Sequence, residues 1–102
     1  MYTEKEAEQV AVDYIKSAPT FKFDGAVQSL EATQIIPLDC TGCFEVTVEF
    51  NCLNEGYGDR GGLLVIPKIT HHVAKVRVEK GEIIQATIDD TWDEMAQKPI
   101  TE

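Results

Sequence analysis

Apolar residues recur at helical spacing near the start of the chain and at strand spacing further on. Ala7, Val10, Ala11, Tyr14, Ile15 and Ala18 fall on one side of a helical period, with Glu4, Lys5, Gln9, Asp13 and Lys16 on the other. Ahead of them, Thr3-x-x-Glu6 has the spacing of a capping box, in which the threonine hydroxyl accepts from the Glu6 amide and Glu6 reaches back. Pro19 ends the pattern. The spacing predicts an amphipathic helix over about 3–17.

Phe21-Lys22-Phe23 alternates briefly before the turn dipeptide Asp24-Gly25. Beyond it the period becomes two. Leu30, Ala32, Ile36 and Leu38 are expected on one face of a first long strand, and Phe44, Val46, Val48, Phe50 and Cys52 on one face of a second. Ala74, Val76 and Val78 mark a third strand, and Ile84, Ala86 and Ile88 a fourth. Two three-residue loops, Cys40-Thr41-Gly42 and Glu79-Lys80-Gly81, bring these sets into register: Phe44 faces Leu38, Val46 faces Ile36, Phe50 faces Ala32, Val76 faces Ile84 and Ala74 faces Ala86. Pro37 suits an edge strand, where no donor is missed. Thr91-x-x-Glu94 repeats the capping-box spacing and predicts a short helix with Trp92, Met95 and Ala96, stopped by Pro99. The expected fold is α+β: an N-terminal helix packed on a four-stranded antiparallel meander, with a short C-terminal helix at the margin, in one domain over 1–102.

Charge narrows the partners. The 102 residues include 18 acidic and 9 basic side chains, a net charge of −9, which disfavours nucleic acid because phosphate binding needs a basic patch. Lys75, Arg77 and Lys80 lie close together but Glu79 and Glu82 flank them. A protein or a small ligand is the expected partner. No apolar run approaches the ~20 residues of a membrane span. Met-Tyr-Thr-Glu-Lys-Glu has no basic segment followed by an apolar one, so no signal peptide is read and the compartment stays open, exported if a leader was trimmed. No cofactor is expected.

Three cysteines, an odd number, exclude a full disulfide framework. Strand parity puts Cys52 inside, as a small buried hydrophobe, and turns Cys43 outward beside the turn residue Cys40. Cys40 and Cys43 can therefore meet each other but not Cys52. No helix follows the pair to lower a thiol pKa, and Asp39 and Glu45 act the other way, which argues against redox catalysis. A zinc site on Cys40 and Cys43 could recruit one of His71 and His72, such as His71, and would stay a ligand short. The remaining reading is a turn whose thiols are free or bridged according to compartment.

Four of the seven glycines crowd into "NEGYGDRGG", between the second and third strands. The stretch lacks the lysine of a phosphate loop and opens no helix. It is either a flexible loop with Asp59 and Arg60 solvated, or a recognition loop in which Tyr57 supplies an anchor, Arg60 a charge and the glycines close approach. His72 is in register with Ala74 and Val76 and suits a hydrogen-bonded position at the core margin. No serine or cysteine has a visible His–Asp partner set, so no nucleophilic triad is expected. Asp89-Asp90 with Asp93-Glu94 does not match a calcium loop.

The order of "SAPTFKFDG", "CTGCFEVTVEF", "GYGDRGG", "ITHHVAKVRVEKGEI" and "DDTW" resembles a family of small uncharacterised prokaryotic domains, over about 10–92. That resemblance implies a Cys-x-x-Cys hairpin, a Gly-Tyr-Gly-Asp-Arg loop, a histidine at His72 and a tryptophan at Trp92, and it carries no activity. Its members often have an export or lipoprotein leader, and none is read in Met1–Glu6. The layout is also similar to cystatin-like and PepSY-like domains, which mostly bind or inhibit other proteins, although the Gln-x-Val-x-Gly wedge of cysteine-protease inhibitors is absent. The expected function is a non-enzymatic binding module using the 56–62 loop, with Tyr57, Asp59, Arg60 and His72 at the contact. The alternatives are a metal or thiol-redox site at Cys40 and Cys43, and a small enzyme with His72 as base.

Overall fold

A computed structural model describes residues 2–62 and 64–100. An N-terminal helix, α1 (Glu4–Ser17), lies on one face of an antiparallel sheet. Thr3 caps it, its Oγ1 accepting from the Glu6 amide at 3.2 Å; the Glu6 carboxylate turns to the Thr3 hydroxyl. Ala7, Ala11 and Ile15 are the buried face, and the small alanines let the helix sit close to the strands.

Pro19 does not only end α1. It is the first residue of a second short helix, α2 (Pro19–Asp24), at a position where its fixed φ and missing N–H cost nothing. Phe21-Lys22-Phe23, which alternates like a strand in sequence, is therefore helical, with Thr20 and Phe21 buried. Gly25 ends the helix: a Cβ there would collide with the Phe21 ring. The chain then runs beside 51–53, through Ala26 N–H to Asn51 O and Leu53 N–H to Asp24 O, and makes a single 3-10 turn at Val27–Ser29.

The sheet has six strands in simple sequential order, not four: β1 (Glu31–Pro37), β2 (Cys43–Cys52), β3 (Thr70–Glu79), β4 (Glu82–Ile88), β5 (Trp92–Asp93) and β6 (Lys98–Pro99). β5 and β6 replace the expected C-terminal helix. Trp92 pairs with Ile88 and with Pro99, and Asp93 rather than Thr91 caps the following turn, accepting from the amides of Met95 and Ala96. Phe44, Val46, Val48, Phe50 and Cys52 of β2 and Ala74, Val76 and Val78 of β3 are all buried under α1, as alternation predicts. The opposite face carries Glu45, Thr47, Lys75, Arg77, Gln85 and Thr87.

Both expected registers need correction, for one physical reason. β1 and β4 each contain a bulge, and an extra residue reverses the parity beyond it. In β1 the extra residue is Thr33, so Ala32 faces Val48, Ile35 faces Val46 and Pro37 faces Phe44, while Ile36 and Leu38 pass to the open face. The loop before β2 has four residues, closed by Leu38 N–H to Cys43 O at 2.8 Å, with Gly42 left-handed at φ 79°. Between β3 and β4 the turn is the two residues Lys80-Gly81, both left-handed (φ 51° and 82°), as a type I′ hairpin requires. Val78 then faces Ile83, Ile84 bulges outward, and Val76 and Ala74 face Ala86 and Ile88.

Candidate functional site

The meander brings the starts of β3 and β5 and the ends of β2 and β4 to one edge of the molecule, beside α2. The connection between β2 and β3, residues 53–69, crosses this edge. Polar side chains are buried here, and they fall into two linked groups.

His72 heads the first. It is 1% exposed, between Phe50 (ring centroids 5.4 Å) and Tyr57 (5.2 Å). Its Nδ1 meets Asp89 Oδ2 at 2.6 Å; the carboxylate only accepts, so Nδ1 is the donor. The other ring nitrogen, Nε2, is buried with no hydrogen-bond partner among the described residues. Asp89 Oδ2 also accepts from Tyr57 Oη at 3.0 Å, and Oδ1 from the Val73 amide at 2.8 Å. Tyr57 contacts Thr91 Oγ1 at 3.1 Å and stacks on Trp92 (5.4 Å, 10° between planes). Burial raises the Tyr57 phenol above its ordinary pKa, the Thr91 hydroxyl offsets part of the rise and the Asp89 carboxylate adds to it. Asp89 and Asp90 are consecutive non-glycine residues in the left-handed region (φ 56° and 58°), a local strain that the contacts of Asp89 hold in place.

Arg60 heads the second. It is 3% exposed and pairs with Asp24 through Nη2, while Nη1 donates to Gly58 O at 2.6 Å. The guanidinium lies over the Phe23 ring at 4.6 Å. Asp24 Oδ2 accepts from the backbone and side-chain nitrogens of Asn54 (2.8 and 2.9 Å). Thr20 joins the two groups: its Oγ1 accepts from the Gly58 amide at 2.7 Å and donates to Glu94 Oε1 at 2.6 Å. Glu94, 2% exposed, also accepts from the Thr20 amide (2.9 Å) and from Trp92 Nε1 (3.0 Å). Gly58 is left-handed (φ 69°), and a Cβ would meet Gln97 Oε1 at 2.7 Å. Cys52 lies beneath, its thiol pushed up to about 12 by burial and by Asp24.

Of the residues singled out from sequence, Tyr57, Arg60 and His72 converge here, turned inward. Asp59 points to solvent and accepts from the Gly61 amide at 2.8 Å. Arg60 is thus not solvated: its guanidinium is buried and paired with Asp24. Near His72, the carboxylate is Asp89 rather than Asp59, and among the described residues no thiol or hydroxyl is bonded to Nε2. His71 points to the open face, bound by Asn51 Oδ1 (2.8 Å) and Glu49 Oε1 (2.9 Å). Hydrogen bonds from Thr33 and His71 hold the Glu49 carboxyl below its ordinary pKa.

Thr20, Asp24, Asp89 and Glu94 are the functional-site residues that sequence reasoning did not select. They stand in "PTFKFD" and "DDTWDE", stretches whose polar residues carry no local pattern for burial. The cysteine pair lies elsewhere. Cys40 and Cys43 form a disulfide at the opposite end of β2, with Cys52 roughly 30 Å away along the ten-residue strand. His71 is eight residues along β3 from Glu79, the partner of Cys43, or roughly 26 Å, so it cannot complete a site with the two cysteines. No helix among the described residues is long and apolar enough to cross a membrane. No family model matches the chain, and no curated protein or solved structure is significantly similar to it.

Proposed function

We propose that this chain is a non-enzymatic binding module whose contact face is the β2–β3 connection. One observation carries the reading. Leu53, Leu64, Ile66 and Ile69 are large, apolar and exposed on a single connection, whose first half is held by buried polar clusters at Tyr57 and Arg60 and whose second half is tied back by Glu55 N–H to Ile66 O at 3.1 Å. Single exposed apolar residues are ordinary, and four on one segment support reading that segment as a contact surface. A groove of about 530 Å³ opens beside Ile69, with Tyr57 and His72 on its inner side and Lys68, Ile69, Thr70 and His71 along its rim. That volume suits a small ligand or one side chain of a partner.

In this reading Arg60, Asp24 and His72 position the face, and Tyr57, Leu64, Ile66 and Ile69 meet the partner. A preformed loop loses less ordering entropy on binding than a flexible one. A helix on an antiparallel meander is also similar to cystatin-like and PepSY-like domains, many of which bind proteins, and that likeness supports the reading at the level of layout alone. The test places a photo-crosslinking residue at Leu64 or Ile66 and, as a control, at Thr87 on the open face. Discrete adducts from the connection alone, lost in a Leu64→Ser/Ile66→Ser/Ile69→Ser variant that melts like the parent, are expected. Equal adducts from Thr87, or capture unchanged by the triple substitution, would remove the proposal.

A further inference from the structure

The sulfurs of Cys40 and Cys43 and a carboxylate oxygen of Glu79 all lie within 4.8 Å of one another. Sequence spacing does not show this, since Glu79 is on the next strand, paired directly with Cys43. We infer that reduction of the Cys40–Cys43 bridge converts this turn into a binding site for a zinc-class dication, with the two thiolates and Glu79 as ligands. The inference concerns the end of the sheet opposite the β2–β3 connection and does not depend on the function proposed for that face.

Geometry favours it. Two thiolates on a tetrahedral ion stand roughly 3.8 Å apart, given metal–sulfur bonds of about 2.3 Å. Side chains on Cα atoms 5.3 Å apart reach that span by rotation alone. The backbone supports the turn without the bridge: Cys43 N–H bonds Cys40 O at 3.2 Å, Leu38 N–H bonds Cys43 O at 2.8 Å, and Lys80 N–H bonds Gly42 O at 2.8 Å. Arg77 Nε donates to Glu79 Oε2 at 2.6 Å, which orients the carboxylate and leaves Oε1 for a metal, the kind of outer contact that tunes metal ligands. Glu82 sits directly across from Glu79 and lines the same hollow. Two carboxylates opposed across a strand pair repel, and a bound dication would remove that repulsion while Glu82 or water fills the fourth position.

The exchange is reversible. Cys40 is exposed and Cys43 is buried, so a reductant reaches the Cys40 sulfur first. A dithiol attacks it, Cys43 leaves as the thiolate, and the second thiol of the reductant displaces Cys40 to close its own disulfide; two electrons and two protons pass to the protein. Metal binding then releases the two thiol protons. Exchange with an oxidised dithiol, which takes up the two electrons and leaves as its reduced form, re-forms the bridge and expels the ion. The same residues are thus a covalent staple in one redox state and a metal site in the other.

Cobalt(II) titration of the full chain tests this. A trialkylphosphine reduces the bridge, becoming its oxide by taking oxygen from water, without competing as a thiol chelator. Expected are one cobalt per chain and a thiolate-to-cobalt charge-transfer absorption in reduced protein, with neither in oxidised protein. Glu79→Gln should weaken binding at least about tenfold, and His71→Ala should leave it unchanged. Cys40→Ser, an exposed change, should abolish the absorption while keeping the native circular dichroism. No cobalt uptake on reduction, undiminished binding by Glu79→Gln, loss of binding in His71→Ala, or unfolding of the reduced chain would each overturn the inference.

Discussion

At one end of the sheet the chain reverses through Lys80-Gly81 and through the bridged loop before β2; at the other it is tied by Thr20, Asp24, Tyr57, Arg60, His72, Asp89 and Glu94. The first end uses local chemistry. Left-handed turn residues and a disulfide between positions three apart fix it, and each part acts within a few residues of itself. The second end uses long-range chemistry: Thr20 to Glu94 spans 74 positions, Thr20 to Gly58 38, Arg60 to Asp24 36. The difference matters energetically. Removing a turn residue or a short bridge costs little, whereas removing one member of a buried polar pair leaves its partner desolvated.

The largest break should therefore come at the long-range end. Asp24→Ala strands the buried Arg60 guanidinium and should cost about 3–5 kcal/mol in urea unfolding. A cost below ~1 kcal/mol would show the pair to be solvated. Next, Glu94→Gln sets an amide donor against the donors of Thr20 and Trp92 and should cost about 1–3 kcal/mol. At the other end, reducing Cys40–Cys43 should cost no more than about 2 kcal/mol, since the loop it closes is very short. If reduction proves more damaging than Asp24→Ala, the contrast between the ends is reversed.

The smallest effect at neutral pH concerns Cys52. Its thiol is raised from 9.0 to about 12, so folding favours the protonated form. The stability this confers is complete below pH 9, where both states are protonated, and is lost as pH rises toward 12, because the unfolded chain ionises first. Cys52→Ala should flatten the alkaline part of a stability–pH curve and leave pH 7 little changed in slope. A parent curve already flat above pH 9 would contradict the burial of this thiol.

The contrast also explains what could be read from sequence. α1 was legible because a capping box and an apolar stripe agree over fourteen residues, and β2 and β3 because their alternation is unbroken. The bulges were not: Ile35 and Ile36, like Ile83 and Ile84, are adjacent isoleucines, so either parity satisfies the pattern. Pro19 reads equally as a helix stop and a helix start. Thr91-x-x-Glu94 has helical capping chemistry, but Glu94 is drawn instead to Thr20, and the pull of a tertiary contact overrides the local signal. Tyr57, Arg60 and His72 were visible as unusual residues; the side chains that make them a cluster were not, because hydrogen bonds across 17 to 74 positions leave no periodic trace.

The account rests on residues 54–60 of the β2–β3 connection being held in a fixed conformation by the buried cluster, and amide hydrogen exchange at Gly58 tests that most directly. The Gly58 N–H donates to Thr20 Oγ1. It should exchange as slowly as amides in β3, and Thr20→Val should release Gly58 while β3 stays protected. Exchange of Gly58 in the parent protein as fast as at the exposed Gly62 would contradict the account.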